Sequence, residues 1–514
     1  MRRTRASGWS ATGHWSARPE ARPESRSKPR AMSGKPDPLR LYQAGLAHHQ
    51  AGRLAAAEAA YREVLAHFPR QPDALHMLGV LAHQAGRHEL ALQLIGRAIG
   101  IAPKQAAFHN NLGSCHEARG ELDAALVAFR RAIALQPGLP EAHNNVGNVL
   151  QALGDCDGAI AAYRQALALR PDYAEAQDNL GAALQAAGRP EEAIAAHRQA
   201  LALRPDHAGA QWNLAYALLL KGDFAAGWAQ NEWRWRASGR QAADPGWSQP
   251  LWLGTPALAG RTLLVHHEQG LGDTLQMLRY APLLAAQGAR VLLRVPATLA
   301  DLAATVPGVA AVIREGEPLP AFDLHCPCMS LPLACGTLLE TIPATVPYLA
   351  APEAARSAWQ ARLGPAQRRR VGLAWSGSAG HRNDRNRSLP FARLAPLLDA
   401  DAEFHSLQKE YRAADAAAMR ADGRIIDHAA DLATLADTAG LIAALDLVIT
   451  VDTAVAHLAG AMGRPAWLLL PFAPDYRWLL GRDDSPWYPT LRLFRQPVAG
   501  DWGSVVGRVR GLIG

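Results

Sequence analysis

The sequence predicts two architectures in series: a superhelix of paired α-helices, then a two-lobed α/β domain built on parallel sheets. Three observations carry this. Proline recurs at 69, 103, 137, 171 and 205, every 34 residues. From residue 262 onward, short β-rich runs alternate with Ala/Leu-rich helical stretches, the rhythm of βα units. A proline-spaced passage, TIPATVPYLAAPEAA (341–355), interrupts that rhythm and divides the second region in two.

The basic amino-terminal segment comes first. Residues 1–36 hold nine Lys/Arg against Glu20 and Glu24, which accounts for the whole formal charge of +7. The other 478 residues are formally neutral, so the high pI marks no nucleic-acid face on the folded part. The segment is rich in Arg, Ser, Pro and Gly and lacks the apolar core of a secretory signal. We expect a disordered tail over 1–37; Met32, followed by SGKPDP, is an alternative start. No apolar run reaches the ~18 residues of a membrane span. Five cysteines (115, 156, 326, 328, 335) form no even framework, which fits a reducing cytoplasm. His325-Cys326-Pro-Cys328 with Cys335 matches no zinc spacing, so these read as buried free thiols and no metal is expected.

The array is assigned to 38–241. Gly45, Gly79, Gly113, Gly147 and Gly181 keep the 34-residue period, as do Ala57, Ala91, Ala125, Ala159 and Ala193. Small residues at fixed places let two helices approach closely, and each proline ends the second helix of its pair. A 34-residue unit of this kind resembles the tetratricopeptide repeat. A sixth unit from about 208 keeps Asn213-Leu214-Ala215 but loses the proline, as a degenerate last unit would. Asn111, Asn145, Asn179 and Asn213 also recur every 34 residues. Such a ladder suits the backbone of a bound peptide, and it is similar to one in the eukaryotic O-GlcNAc transferases. The same residues could instead stabilise the repeat itself. Trp228, Trp233, Trp235, Trp247 and Trp252 then crowd the junction, whose 242–261 portion is assigned as a linker. They form either an aromatic plug against the next domain or a carbohydrate-stacking surface.

The α/β region divides into lobes at 262–355 and 356–514. Expected strands are TLLVHH, ARVLLRV, VAAVI and FDLHCP in the first. RVGLAWSG, AEFHSLQ, RIIDH, LDLVITVD and PAWLLLP follow in the second. A hinge between two such halves suggests a cleft. Three strand ends carry candidate chemistry. HHEQGLGD places Gly270 and Gly272 on a turn and Asp273 at a helix start, as an N-cap or a proton acceptor. WSGSAGHRNDRNRSLP sets Ser376 and Gly377 beside Arg382, Arg385 and Arg387; guanidinium groups match phosphate oxygens bidentately. ITVDTAVAHLAG puts Asp452 at a strand end, with Thr453 and Ala454 opening a helix that holds His457.

These motifs together resemble glycosyltransferase family 9, the ADP-heptose:lipopolysaccharide heptosyltransferases, of two-lobed GT-B architecture. The layout from residue 37 on resembles bacterial repeat proteins that end in such a domain. The resemblance implies a nucleotide-sugar donor as substrate; no Asp-X-Asp pair stands at a strand end, so no metal or other cofactor is expected. It implies Asp273 as general base and a basic residue of the 376–387 loop on the donor diphosphate, where the family usually has Lys. It also implies Asp452 on sugar hydroxyls, with Thr453 and nearby amides on the diphosphate. His457 reads equally as a donor contact or a packed core residue. Ala454 stands where the family usually has Gly. Pro474, Tyr476, Arg477 and Trp478 are read as one wall of the nucleotide pocket. The carboxyl-terminal helix is expected to cross back to the first lobe. A glycosyltransferase whose acceptor is recruited partly by the repeats is the favoured function. A non-catalytic scaffold and a protein O-glycosyltransferase similar to the O-GlcNAc enzymes are the alternatives. The expected partner of the array is a protein or peptide, in the cytoplasm.

Overall fold

The computed structural model describes residues 37–239, 246–380 and 383–513. The basic tail up to residue 36 and Arg382 lie outside the described residues. The chain forms two compact units, Met1–Pro205 and Asp206–Gly514. The expected boundary at 241 thus falls a whole helix pair too late.

Among its described residues, the first unit is five helix pairs. They are α1 (Pro38–Gln50) with α2 (Leu54–His67), α3 (Pro72–Gln84) with α4 (His88–Ile101), and α5 (Ala106–Ala118) with α6 (Leu122–Leu135). Then come α7 (Pro140–Leu153) with α8 (Cys156–Leu169) and α9 (Ala174–Ala186) with α10 (Pro190–Leu203). Each helix packs on its sequence neighbours, as a repeat array requires. The periodic glycine of each first helix lies under a side chain of its partner. A Cβ at Gly147 would stand 2.5 Å from Tyr163 Cε1, and one at Gly113 would stand 2.6 Å from Phe129 Cε1. The periodic alanines are fully buried. A second glycine series, Gly52 to Gly188 at the same spacing, turns each pair at φ between 70° and 91°, where a side chain would be strained. Gly147→Ala is expected to cost about 1–3 kcal/mol, read as a lowered urea midpoint with unchanged slope.

The asparagine ladder is spent inside this unit. Asn111 (3% exposed) bonds the His76 ring at 2.8 Å, and fully buried Asn145 donates to Asn110 Oδ1 at 3.1 Å. Asn179 donates to Asn144 Oδ1 and Asn148 Oδ1, each at 3.1 Å. Each amide stitches one repeat to the one before it, so the stabilising role describes these three positions. Asn213, half-buried, belongs to the second unit.

That unit opens with α11 (Ala208–Lys221), α12 (Phe224–Asn231) and α13 (Arg234–Ala237). The first lobe follows: β1 (Thr262–His266), α14 (Leu271–Met277), α15 (Ala281–Ala286), β2 (Arg290–Val295), α16 (Ala297–Ala303), β3 (Val309–Arg314), β4 (Leu324–Pro327) and α17 (Leu331–Ala334). Its sheet runs β3-β2-β1-β4, all parallel. Between the lobes stands α18 (Glu353–Leu363). The second lobe is β5 (Arg370–Ala374), α19 (Asp384–Arg387), α20 (Phe391–Leu394), β6 (Glu403–Ser406), α21 (Ala413–Asp422), β7 (Ile425–Ile426), α22 (Leu435–Ala443), β8 (Leu447–Val451), α23 (Ala454–Ala461), β9 (Ala466–Leu470), β10 (Leu491–Arg495) and α24 (Trp502–Ile513). Its sheet is also parallel, in the order β10-β9-β8-β5-β6-β7. Crossover helices between parallel strands make both lobes α/β, as the GT-B expectation requires.

One hydrophobic core runs through both lobes. It joins Leu219, Phe224 and Trp228 to Leu263, Leu275, Ala456, Leu458 and Trp487. This is why α11 and α12 belong to the second unit: their apolar faces complete its core. Trp228 meets Tyr476 and Trp487 edge-on at 5.8 and 6.4 Å, the plug expected of the Trp-rich junction. The 246–261 stretch is tied to the sheet rather than loose, with Trp252 N–H donating to the His325 carbonyl at 2.8 Å. The carboxyl-terminal helix does not cross back. Val505, Val506, Val509 and Ile513 of α24 bury against Val371, Leu373 and Phe391 in a second core of the same lobe, which takes up its whole apolar face. Among the described residues no helix is long and apolar enough to cross a membrane.

Candidate functional site

The candidate residues gather where β1, β5 and β8 end, at the carboxyl edges where open α/β sheets bind ligands. At β1 the chain passes through extended Gly270 into α14, and the Gly270 N–H donates to Asp273 Oδ2 at 2.8 Å. The other Asp273 oxygen pairs with Arg477. Arg477 also donates from Nε to Gln276 Oε1 at 2.6 Å and from Nη1 to Asp475 Oδ1 at 2.8 Å. Burial works against its charge. Asp475, Tyr476 and Asp273 outweigh that and hold the guanidinium firmly protonated. Tyr216, from α11, donates to Asp475 Oδ2 at 3.3 Å and so adds an edge contributed by the helical segment.

At β5, Ser376 is buried and clasped by Gln408, whose amide donates to Ser376 Oγ at 3.0 Å and accepts from Ser376 N–H at 3.1 Å. Gly377 makes room for Arg387: a Cβ there would stand 2.6 Å from Arg387 Nη2. Arg387 reaches across to β8, donating from Nη1 to the Asp452 carbonyl at 2.9 Å. Of the two described arginines in this loop, Arg387 is brought to the strand ends and Arg385 is exposed.

At β8, Asp452 sits beside these cations. Burial and Asp475 push its carboxyl up to about 6, against the opposing pull of Trp478, Arg477 and Arg387. Thr453 precedes α23 without capping it by its side chain, whose Oγ1 lies 3.3 Å from Thr450 Oγ1 instead. The first amides of α23 are left without a side-chain cap, the arrangement that suits an anion. On the first turn of that helix, His457 is a packed core residue. It is 5% exposed, bonds the Tyr488 hydroxyl at 2.9 Å, stacks on Trp478 and is kept neutral by burial.

The lobes touch here rather than standing apart across an open cleft. Helix α14 packs on α23, and a Cβ on Gly272 would stand 2.8 Å from His457 Cδ2 and 3.5 Å from Ala454 Cα. Gly272 thus serves a close approach of two helices, and Ala454 lies on the same contact. Among the described residues no group of three or more His, Cys, Asp or Glu is placed to hold a metal ion. Cys326 and Cys328 are buried free thiols, and Asp484, in the loop before β10, is paired with Arg482.

Three tetratricopeptide-repeat family models match residues 42–106, 116–154 and 138–206. The model of glycosyltransferase family 9 (heptosyltransferase) matches residues 408–469, the stretch holding β8 and α23. The chain thus carries tetratricopeptide repeats and, over 408–469, a stretch similar to glycosyltransferase family 9. This repeat protein is similar to protein FlbA of Caulobacter vibrioides (strain ATCC 19089 / CIP 103742 / CB 15), with 30% identity over 324 residues. That match covers 57% of this chain and 52% of the relative, so the chain spans about half the length of the curated relative it matches. Among solved structures, the MamA protein is 26% identical over 33% of this chain and 93% of its own, with a TM-score of 0.29. A thermophilic tetratricopeptide protein of Thermus thermophilus is 26% identical over 36% of this chain and 100% of its own, with a TM-score of 0.32.

Within the second unit, four participants have no local signature in the sequence: Tyr216, Gln276, Gln408 and Asp475. Each acts through a partner at least 32 residues away or, for Asp475, by joining Tyr216 to Arg477. Arg477 lies in a segment read as pocket wall; its pairing with Asp273 had no signal in the spacing.

Proposed function

We propose that the second unit transfers a sugar from a nucleotide-diphosphate donor to an acceptor recruited partly by the repeat array. The observation that carries this reading is the junction of β5 and β8. Arg387 lies over Gly377 on the Asp452 carbonyl, beside the side-chain-uncapped start of α23, within reach of the family 9 match. A fixed guanidinium and oriented amides are suited to the growing negative charge of a leaving nucleoside diphosphate. Asp452 is the group for donor hydroxyls. We assign the acceptor proton to Asp273. The repeat groove holds a protein or peptide.

Calorimetry with ADP- and UDP-sugars tests the donor half. We expect one of them to bind, and Arg387→Ala to weaken it about 10- to 100-fold, the worth of one charge-assisted contact. Absence of binding for every sugar nucleotide sinks the reading. A second reading, a non-catalytic scaffold, is favoured by one observation: Asp273 is tied to Arg477 while Gly272 packs on His457. Partner capture by the array with no donor binding would support it.

A further inference from the structure

The 266–270 loop, which carries the chain from β1 to Gly270, is held from outside its own lobe. Arg234, the first residue of α13, is 3% exposed. Its Nε and Nη2 donate to the two carboxylate oxygens of Glu268 at 2.7 and 2.9 Å, a bidentate fork. Nη1 donates to Glu232 Oε1 at 2.5 Å and Nη2 to Ser330 Oγ at 2.7 Å. Burial opposes the charge, and Glu268 and Glu232 more than offset it. The next residue, Gln269, takes φ 65°, a left-handed conformation for a side chain that is not glycine. Gly270 and Asp273 follow directly. The fork therefore sits at the one place where the backbone must be forced into its path toward Asp273.

We propose that Arg234 is a positioning residue: through Glu268 it sets the direction in which the loop delivers Asp273, so the segment after the helical pair α11–α12 forms part of the reaction machinery. This rests on the transferase reading above. The arrangement supplies a clean probe, because Glu268→Gln leaves Arg234 neutralised by Glu232.

The test compares full-length wild type, Glu268→Gln and Arg234→Lys, which keeps the charge but loses the fork. Hydrolysis of whichever ADP- or UDP-sugar the wild type turns over is measured together with hydrogen exchange across the domain. We expect kcat to fall about 10- to 100-fold in both variants with KM within about twofold, the effect of a displaced reacting group. Exchange should rise in the peptides covering 266–275 and stay unchanged in β8 and α23. Unchanged kcat with unchanged exchange in 266–275 overturns the proposal and leaves the transferase reading standing. A rise in exchange throughout the domain overturns it in favour of a plain structural staple. If the wild type turns over no sugar nucleotide, the transferase reading fails, and the exchange pattern alone decides whether Arg234 holds the loop.

Discussion

Arg477→Gln is expected to destabilise the second unit by about 3–5 kcal/mol, the cost of removing one partner from a buried ionic cluster. Arg477 is 6% exposed and is the shared cation of Asp273 and Asp475. Glutamine is too short to reach both carboxylates and brings no charge, so two anions would remain half-buried and unpaired. Gln276, whose oxygen accepts from Arg477 Nε, would lose its partner as well. Because Asp273 stands on α14 and Arg477 beyond β9, the loss also severs a link between the lobes. Chemical denaturation should show the second unit melting at markedly lower denaturant while the array keeps its own transition. Equal midpoints for wild type and variant would mean that the cluster contributes nothing net.

The second large effect concerns pH. Burial and Asp475 push the Asp452 carboxyl up to about 6 in the folded protein, above the roughly 3.9 of an unfolded chain. The fold therefore prefers the protonated form. Ionised Asp452 weakens the fold above about pH 6, and this cost is relieved as pH falls through 6 toward about 4. Asp452→Asn keeps the shape without the charge. We expect it to melt ~2–4 °C higher than wild type at about pH 8, with the gap closing near about pH 4–5. On the transferase proposal the same variant should lose donor binding, since the carboxylate assigned there to donor hydroxyls is gone. Greater stability with lost binding is the pattern of a group kept for function at the expense of the fold. A variant that is less stable than wild type under those alkaline conditions would show that Asp452 serves packing instead.

Much of the architecture was legible because it repeats or alternates. The 34-residue spacing of Gly147 and its counterparts marks where a large side chain of the partner helix lies, and the structure puts Tyr163 there. Strands such as Thr262–His266 and Leu447–Val451 announce themselves as short β-branched runs between helical stretches. Leu491–Arg495 escaped notice because charged Arg492 and Arg495 break its apolar run, while Leu491 and Leu493 are buried only once the strand pairs with β9 and joins the shared core. The candidate site was legible strand end by strand end, at Gly270, Gly377 and Asp452. What joins those ends was not. Asp273 and Arg477 are 204 residues apart, and Arg234 and Glu268 belong to elements that the sequence assigns to different modules. Contacts of this kind have no period, so only the folded chain displays them. The asparagine series shows the converse hazard: a perfect period, at Asn111 and Asn145, that reports cohesion between neighbours.

The division at Pro205 has a consequence for how such a chain can vary. The five helix pairs described before it are interchangeable cassettes, each resting on the next. A pair could be inserted or deleted among them without disturbing a single buried ring of the second unit. The pair that holds Tyr216, Phe224 and Trp228 has no such freedom, since its apolar side is a wall of another building. The array can thus lengthen or shorten upstream while the last pair stays fixed, and a deletion designed to keep the second unit alone must end before Ala208, not after Gly239.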